Sequence, residues 1–476
     1  MSEIDPRSDL KSKITSSLTS ISLNVGVILW GVDYGFYGNE MITWSPGVTD
    51  PNDIAYTISF AFGCFLTGLL YTLVCERISF VILYLLYLVG TVIFILHQDS
   101  CILSRIFQGI ALGCLLSWTY ILYLQQTHLK HRIEKVYFVL LLCVSGWVIG
   151  YLVRLVGGVV ERTLISILLC IICICGLGMG FCRALPERIV IQAYRKGDLS
   201  TGDLDDVYCS LLQSCEYYEN VEIPSALVDQ LLDVGLLEAQ NRKEQGHCFL
   251  FGRYFKRIGR WLLGIVAICI FPISIICFSF PHSIKYILPF FEDTLYSDCF
   301  FFVIAFAVLI AGYLTAYQKH TLLSFRGYSF TLSILCFVEV ILCCLEFQFS
   351  ARKYPIIAVT KACTSVIAVG IYVLVILPSA VNQVTEIGTI FTRAVAPSVS
   401  FAVLPFGFAV VYLFDDWMAS ILKNQLITYL LPCLFYFVNG LIVKRMIDLN
   451  EMSLYEVSAV AGLMAYDVCL NKRIMS

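Results

Sequence analysis

The chain has 476 residues, of which 59% are hydrophobic and 14% are charged, with a formal net charge of −3. An ordinary soluble domain carries about 25% charged residues, so this composition excludes a set of soluble domains and predicts an all-α polytopic membrane protein. Its long unbroken apolar runs exclude a transmembrane β-barrel, whose strands would alternate in segments of about 10 residues.

Twelve apolar runs are long enough to cross a membrane, because a transmembrane helix needs about 20 such residues. The first six lie at about 17–43, 54–75, 79–96, 101–125, 135–157 and 163–184. The other six lie at about 259–290, 299–317, 322–347, 355–385, 392–417 and 424–443. We therefore predict the following division of the chain: tail 1–16, six-helix half 17–184, polar linker 185–258, six-helix half 259–447 and tail 448–476.

Lysine and arginine are unevenly distributed about these spans. An even number of spans places both termini on one side, and that side holds 24 of the 32 basic residues, which leaves eight elsewhere. Positive charge marks the cytoplasmic side, so we predict cytosolic termini and a cytosolic linker, in a protein of the plasma membrane. Within the linker, Leu227, Leu231, Leu232, Val234 and Leu237 recur at helical spacing. This spacing favours a short amphipathic helix over a solvated linker.

Two charged residues stand out within the first six apolar runs. Asp33 lies in the first span, where a carboxylate is costly and usually functional. Arg105 lies at the outer end of the fourth span, followed by Gly109 and Gly113 on one smooth helix face. We interpret Asp33 and Arg105 as a candidate ion pair between the first and fourth spans. The alternatives are an aspartate at the membrane edge and an arginine that snorkels to the interface.

A second pattern repeats between the two halves. Gln125 precedes Arg132 by seven residues at the cytosolic end of the fourth span, and Glu386 precedes Arg393 by seven at that of the tenth. Fourth and tenth spans are equivalent in a six-plus-six repeat, which indicates a shared structural role.

These residues carry a resemblance to the sugar porter family of the major facilitator superfamily, which includes hexose facilitators and proton–sugar symporters. Gly31-Val-Asp33-Tyr-Gly35 resembles the family's first-span G-Y-D-x-G, and Arg105, Gly109 and Gly113 resemble its fourth-span R-x3-G-x3-G. The remaining similar motifs are Arg132, Pro378 with Glu386, Arg393 and Ala394, Leu185-Pro186-Glu187-Arg188 with Lys196-Gly197, and Ser453-Leu454-Tyr455-Glu456-Val457.

The resemblance implies a twelve-helix major facilitator fold that works by alternating access. It also implies that Asp33 is a candidate for proton coupling, tuned by Arg105, as are the matching positions in the family's proton symporters. It implies a cytosolic gate in which Glu386 reaches Arg132 and Arg393 meets acidic groups such as Glu187. Family members carry a glutamate where Gln125 stands, so that side of the gate lacks a charge. In the seventh span, Pro272 and Ile273 stand where the family has sugar-binding amides. A solute other than a hexose therefore remains an alternative.

Hydrogen-bonding and aromatic side chains of the spans are candidates for the solute cavity, because aromatics suit sugar faces and amides suit hydroxyls. These candidates are Trp118, Tyr120, Trp147, Asn382 and Gln383. We predict a secondary transporter, either a facilitator or a proton symporter, whose partners are a small polar solute, protons and the lipid bilayer. We predict no cofactor, no metal and no nucleic acid. One rival is a non-transporting sensor with the same scaffold; the other, a membrane-embedded enzyme, has no HExxH, DxD or clustered His/Asp pattern to support it.

Overall fold

The structure is a computed structural model in which part of the chain is described. The described residues are 21, 23–33, 35–36, 51–74, 76–96, 102–126, 129–156, 159–177, 307, 310–311, 313–314, 325–349, 355–371, 398–399, 401–403, 405–406, 409 and 413. The predicted linker, both predicted tails, the seventh and twelfth predicted spans and the tenth-span motif lie outside these residues.

All secondary-structure elements longer than a few residues in this described part of the chain are α-helices, as the apolar runs predict. Six belong to the first half: α1 (Leu23–Asp33, helical again at 35–36), α2 (Pro51–Leu73), α3 (Glu76–Leu96), α4 (Ile102–Gln126), α5 (Leu129–Val156) and α6 (Val159–Gly176). Two belong to the second half: α7 (Phe325–Phe349) on the predicted ninth span and α8 (Pro355–Ile371) on the predicted tenth. Within the described chain, Arg77–Leu96, Ile102–Leu122 and Val136–Val153 are each long and apolar enough to cross a membrane.

Helix α3 shows how these helices divide between protein and lipid. One face is buried and carries Phe80, Tyr84 and Tyr87. The opposite face presents an exposed apolar stripe at helical spacing: Ile78, Ile82, Leu85, Val89, Val92 and Leu96. In water such a stripe would be an aggregation surface, whereas lipid tails are as apolar as the stripe itself.

Small residues bring α2 and α4 into backbone contact. A Cβ added to Gly113 would lie 2.2 Å from the Phe60 carbonyl oxygen, and one added to Gly63 would lie 2.3 Å from that of Ile110. Buried thiols complete the contact, since Cys64 donates to the Gly113 carbonyl and Cys114 donates to that of Gly63. The smooth α4 face seen in the sequence is therefore a packing surface for α2.

Glycines also join α1 to α5. A Cβ at Gly31 would lie 2.2 Å from the Cys143 carbonyl oxygen, and one at Gly150 would lie 2.2 Å from that of Val32. Gly35 and Gly146 are equally close to the opposite backbone, one turn along each helix. Both helices thus contribute a glycine-x3-glycine pair, which holds the segment carrying Asp33 directly on α5.

The two halves meet at described residues of the predicted eleventh span. Ala402 is fully buried within the hydrophobic core of the first half, and the half-buried Phe401 packs against it. In the second half, α7 and α8 pack against each other.

Candidate functional site

Asp33 is completely buried and accepts hydrogen bonds from two other helices. The Tyr87 hydroxyl on α3 donates to Oδ1 at 2.8 Å. The Arg105 guanidinium on α4 donates from Nη1 to Oδ1 at 3.4 Å and to Oδ2 at 3.5 Å. The structure thus brings together the two charges that were singled out in the sequence, and it adds a tyrosine.

Arg105 is itself held by neutral neighbours. Its Nη1 donates to Gln108 Oε1 at 2.9 Å, and its guanidinium lies 4.2 Å from the centroid of the Tyr56 ring on α2. Gln108 in turn donates to Thr91 Oγ1 at 3.4 Å. A cation above an aromatic face is attracted by the ring quadrupole, so Arg105 keeps favourable contacts besides the one to Asp33.

The distances rank these contacts. Charge-assisted N–H···O bonds typically measure about 2.7–2.9 Å, and both Arg105–Asp33 separations exceed that range. The Tyr87 bond to Asp33 and the Gln108 bond to Arg105 are the short ones. The contact between Arg105 and Asp33 is therefore the longer one, and each partner also has a shorter hydrogen bond to a neutral group.

The local sequence explains how α4 docks close enough to form this site. Ser104 donates to the Gly90 carbonyl on α3 at 2.7 Å, and a Cβ at Gly90 would lie 3.1 Å from the Ser104 carbonyl oxygen. Thr91 donates back to the carbonyl of Tyr87 at 3.0 Å. We call Asp33, Tyr56, Tyr87, Thr91, Arg105 and Gln108 the Asp33 network; it joins α1, α2, α3 and α4.

Three of the cavity candidates lie in helix contacts. Trp118 is fully buried between Tyr71 and Phe80, with ring centroids 5.4 and 6.1 Å away. The half-buried Trp147 lies beside α1, where a Cβ at Gly35 would meet its carbonyl oxygen.

Tyr120 stacks on Phe401 of the second half at 4.7 Å. A second aromatic contact between the halves joins Phe138 to Tyr313 at 6.5 Å. The predicted topology places all four of these side chains toward the cytosolic ends of their spans. Tyr120 therefore marks a place where the two halves touch.

The predicted gate falls largely outside the described residues. Gln125 and Arg132 lie on α4 and α5, without described side chains. The other gate and cavity candidates, Glu187, Asn382, Gln383, Glu386 and Arg393, lie outside the described residues. Among the described residues, no group of three or more His, Cys, Asp or Glu side chains could hold a metal ion.

Sequence reasoning missed several polar residues of the spans. Tyr87 and Gln108 carry no charge and gave no signal, although Gln108 follows Arg105 by one helical turn. Glu339 on α7 and Lys361 on α8 are also buried, with 0% and 2% of their surface exposed. Their charges within apolar runs are the same signal that drew attention to Asp33.

Comparison with known proteins finds the fold and not a close relative. No family model matches the sequence, and no curated protein matches it. The structure is similar to that of the proton:xylose symporter XylE bound to 6-bromo-6-deoxy-D-glucose, with a TM-score of 0.61 and 13% sequence identity, over 94% of this chain and 96% of that one. A double-tryptophan mutant of XylE, an E. coli protein, gives a TM-score of 0.64 and 12% identity, over 93% of this chain and 96% of that one. The chain has the fold of the major facilitator superfamily transporters.

Proposed function

We propose that this protein is a secondary transporter that moves a sugar or a similar small polar solute together with a proton. The observation that carries the proposal is the Asp33 network: a fully buried carboxylate, inside a transporter fold, shared by a loosely paired arginine and a tyrosine. An intramembrane ionisable residue is by default a functional site. The similarity to a structure named as a proton:xylose symporter supports the same interpretation.

Asp33 is the proposed proton acceptor. Its carboxylate lies within hydrogen-bonding distance of the Arg105 guanidinium and the Tyr87 hydroxyl. When Asp33 takes up a proton, its attraction to Arg105 is lost, and Gln108 and Tyr56 retain the guanidinium. The proton then leaves Asp33 to the other side of the membrane, and Asp33 and Arg105 form their ion pair again. A ligand shifts the equilibrium between the outward-open and inward-open states only through different affinities for the two states. Protonation of Asp33 supplies that difference here.

The cytosolic end would be closed by contacts between the halves. Tyr120 on Phe401 and Phe138 on Tyr313 are two such contacts. The proposed ionic gate adds Glu386 to Arg132 and Arg393 to Glu187, with Gln125 as an uncharged member. These contacts would separate when the cavity opens inward. The solute would bind between the halves, where Trp147, Asn382 and Gln383 remain the proposed contacts.

Uptake of a panel of labelled sugars and other small polar solutes into liposomes containing the full-length protein tests the proposal. We expect accumulation of at least one solute when the outside is more acidic, and loss of that accumulation with a proton ionophore. A solute that binds without any flux would instead establish the sensor function, and flux that ignores the proton gradient would reduce the protein to a facilitator.

A further inference from the structure

A second charged cluster lies in the second half, apart from the Asp33 network. Glu339 on α7 is fully buried, and Lys361 on α8 is 2% exposed. Thr364 on α8 donates its hydroxyl hydrogen to Glu339 Oε1. Lys361 lies three residues before Thr364, hence on the same face of α8, and Lys361 is the one charged residue of that helix. The Glu339 cluster is thus an acid, a base and a hydroxyl between two packed helices.

Stability alone gives little reason for this cluster. Two buried charges lose more hydration than their attraction restores unless their geometry is excellent, and apolar residues of similar size hold helices at least as well. Helix α8 also carries the fully buried Ala368, so apolar residues are available to its packing. A buried carboxylate with a neighbouring lysine is therefore better explained by a change in charge during function.

The hydroxyl of Thr364 suits both charge states of Glu339. Besides Glu339, it lies within hydrogen-bonding distance of two backbone carbonyls, at 2.8 Å from that of Lys361 and 3.1 Å from that of Thr360. A hydroxyl has one hydrogen and two lone pairs. When Glu339 is ionised, Thr364 donates to it; when Glu339 is protonated, its O–H can donate to the Thr364 oxygen while the Thr364 hydrogen turns to a backbone carbonyl. The Thr364 hydroxyl therefore keeps a hydrogen-bonding partner in either state.

The cluster also resembles the Asp33 network in the residue types that it combines. In each half, a buried basic residue on the fourth helix of the predicted six precedes a polar residue by three positions: Arg105 and Gln108 on α4, Lys361 and Thr364 on α8. In each half, the second member of that pair donates to a polar residue on the preceding helix: Gln108 donates to Thr91 on α3, and Thr364 donates to Glu339 on α7.

We propose that Glu339 is a second proton-binding carboxylate, with Lys361 as its counter-ion and Thr364 as its hydrogen-bonding partner. One proton adds to the ionised carboxylate to form the carboxylic acid, and the same proton later leaves it. On α8, Thr364 contacts Glu339 and Lys361 lies one helical turn before Thr364, while Arg326 and Glu346 of α7 lie about two turns or more along the helix from Glu339. The inference rests on the proposed function only in giving this proton a role in transport.

Infrared difference spectroscopy tests the proposal without knowledge of the solute. Full-length protein in liposomes is compared at acidic and alkaline pH, and the C=O stretch of a carboxylic acid reports each buried carboxylate that takes up a proton. We expect Glu339→Gln to remove one such band and Asp33→Asn to remove a different one. In Lys361→Met the Glu339 band should be present already at neutral pH, because the carboxylate has lost its counter-ion.

Two threonines of α8 provide a matched control. Thr364→Val should shift the Glu339 band because it removes the hydrogen-bonding partner, whereas Thr360→Val should leave it in place, since that exposed hydroxyl donates at 2.8 Å to the Ile356 carbonyl. If Glu339→Gln does not fold, Glu339→Asp should keep the band at a shifted frequency. A spectrum unchanged by Glu339→Gln, or by Glu339→Asp, overturns the proposal. If Asp33→Asn removes no band while Glu339→Gln removes one, the proposed coupling through Asp33 fails and this inference stands.

Discussion

Substitution of Gly31 by alanine probes the contact that places Asp33. The added Cβ would lie 2.2 Å from the Cys143 carbonyl oxygen, whereas ordinary van der Waals contact begins at 3.4 Å, so more than 1 Å of separation is missing. The obstacle is the backbone of α5, flanked by Gly146 and Trp147, and not the flexible end of a side chain. The helices must therefore move apart near Asp33.

The expected change in the free energy of unfolding of Gly31→Ala follows from two opposing effects. Overpacking of a close-packed interior costs typically about 1–3 kcal/mol, and a contact with rigid backbone belongs at the upper end. Replacing glycine by alanine within a helix returns roughly 1 kcal/mol. We expect Gly31→Ala to lower the free energy of unfolding by about 2 kcal/mol, being the upper overpacking estimate less the helix gain.

Gly370→Ala is the matched control, because a Cβ there meets nothing within 4 Å. It should raise stability by about 1 kcal/mol or leave it unchanged. Thermal unfolding of the purified variants in detergent, followed by intrinsic tryptophan fluorescence, measures both. If Gly31→Ala is as stable as Gly370→Ala, α1 does not lie on α5 as described and the reasoning fails.

Three further predictions concern topology and gating. A Gln240→Cys variant in a cysteine-depleted background should resist an impermeant reagent applied outside, since the linker is predicted to be cytosolic; labelling from outside would contradict the orientation. Glu386→Gln should increase labelling of the inner cavity, because breaking a partly buried ion pair costs the inward-closed state up to about 3–5 kcal/mol. Exchanging the charges of Glu386 and Arg132 should restore some transport. If the inner cavity of Glu386→Gln is labelled no more than that of the wild type, this pair is excluded. Phe401→Leu should also favour the inward-open state, because an aromatic pair contributes about 0.5–1.5 kcal/mol beyond burial. Phe80→Leu is its control in the same labelling assay, because the Phe80 ring packs within the first half. Equal labelling of the two variants would refute an aromatic gate.

The sequence predicted the charges of the site better than its neutral members. Asp33 and Arg105 stand out because a charge within an apolar run requires a partner, and the structure places these two in contact. Tyr87 and Gln108 could not be selected in the same way, because tyrosine and glutamine are common in membrane helices for many reasons.

The packing of the helices could be predicted only in part from the sequence. The glycines at 31 and 35 indicated that some helix comes close, but their partners at 146 and 150 are distant in sequence, and the pairing of α1 with α5 is a property of the fold. Aromatic residues were ambiguous for a related reason: Trp118 packs between Tyr71 and Phe80, and Tyr120 stacks on Phe401, and residue type alone does not distinguish such contacts from a cavity wall.

Proton-driven accumulation in the Asp33→Asn variant decides whether Asp33 couples protons to transport. In liposomes with an imposed inward proton gradient, the wild-type protein should accumulate its solute, and Asp33→Asn should lose this accumulation while keeping exchange of solute across the membrane, because the neutral amide removes the proton site and leaves the scaffold. Asp53→Asn, at a half-buried carboxylate in the first turn of α2, should accumulate solute as the wild type does. Accumulation by Asp33→Asn at the wild-type level would contradict the account and leave Asp33 as a packing residue.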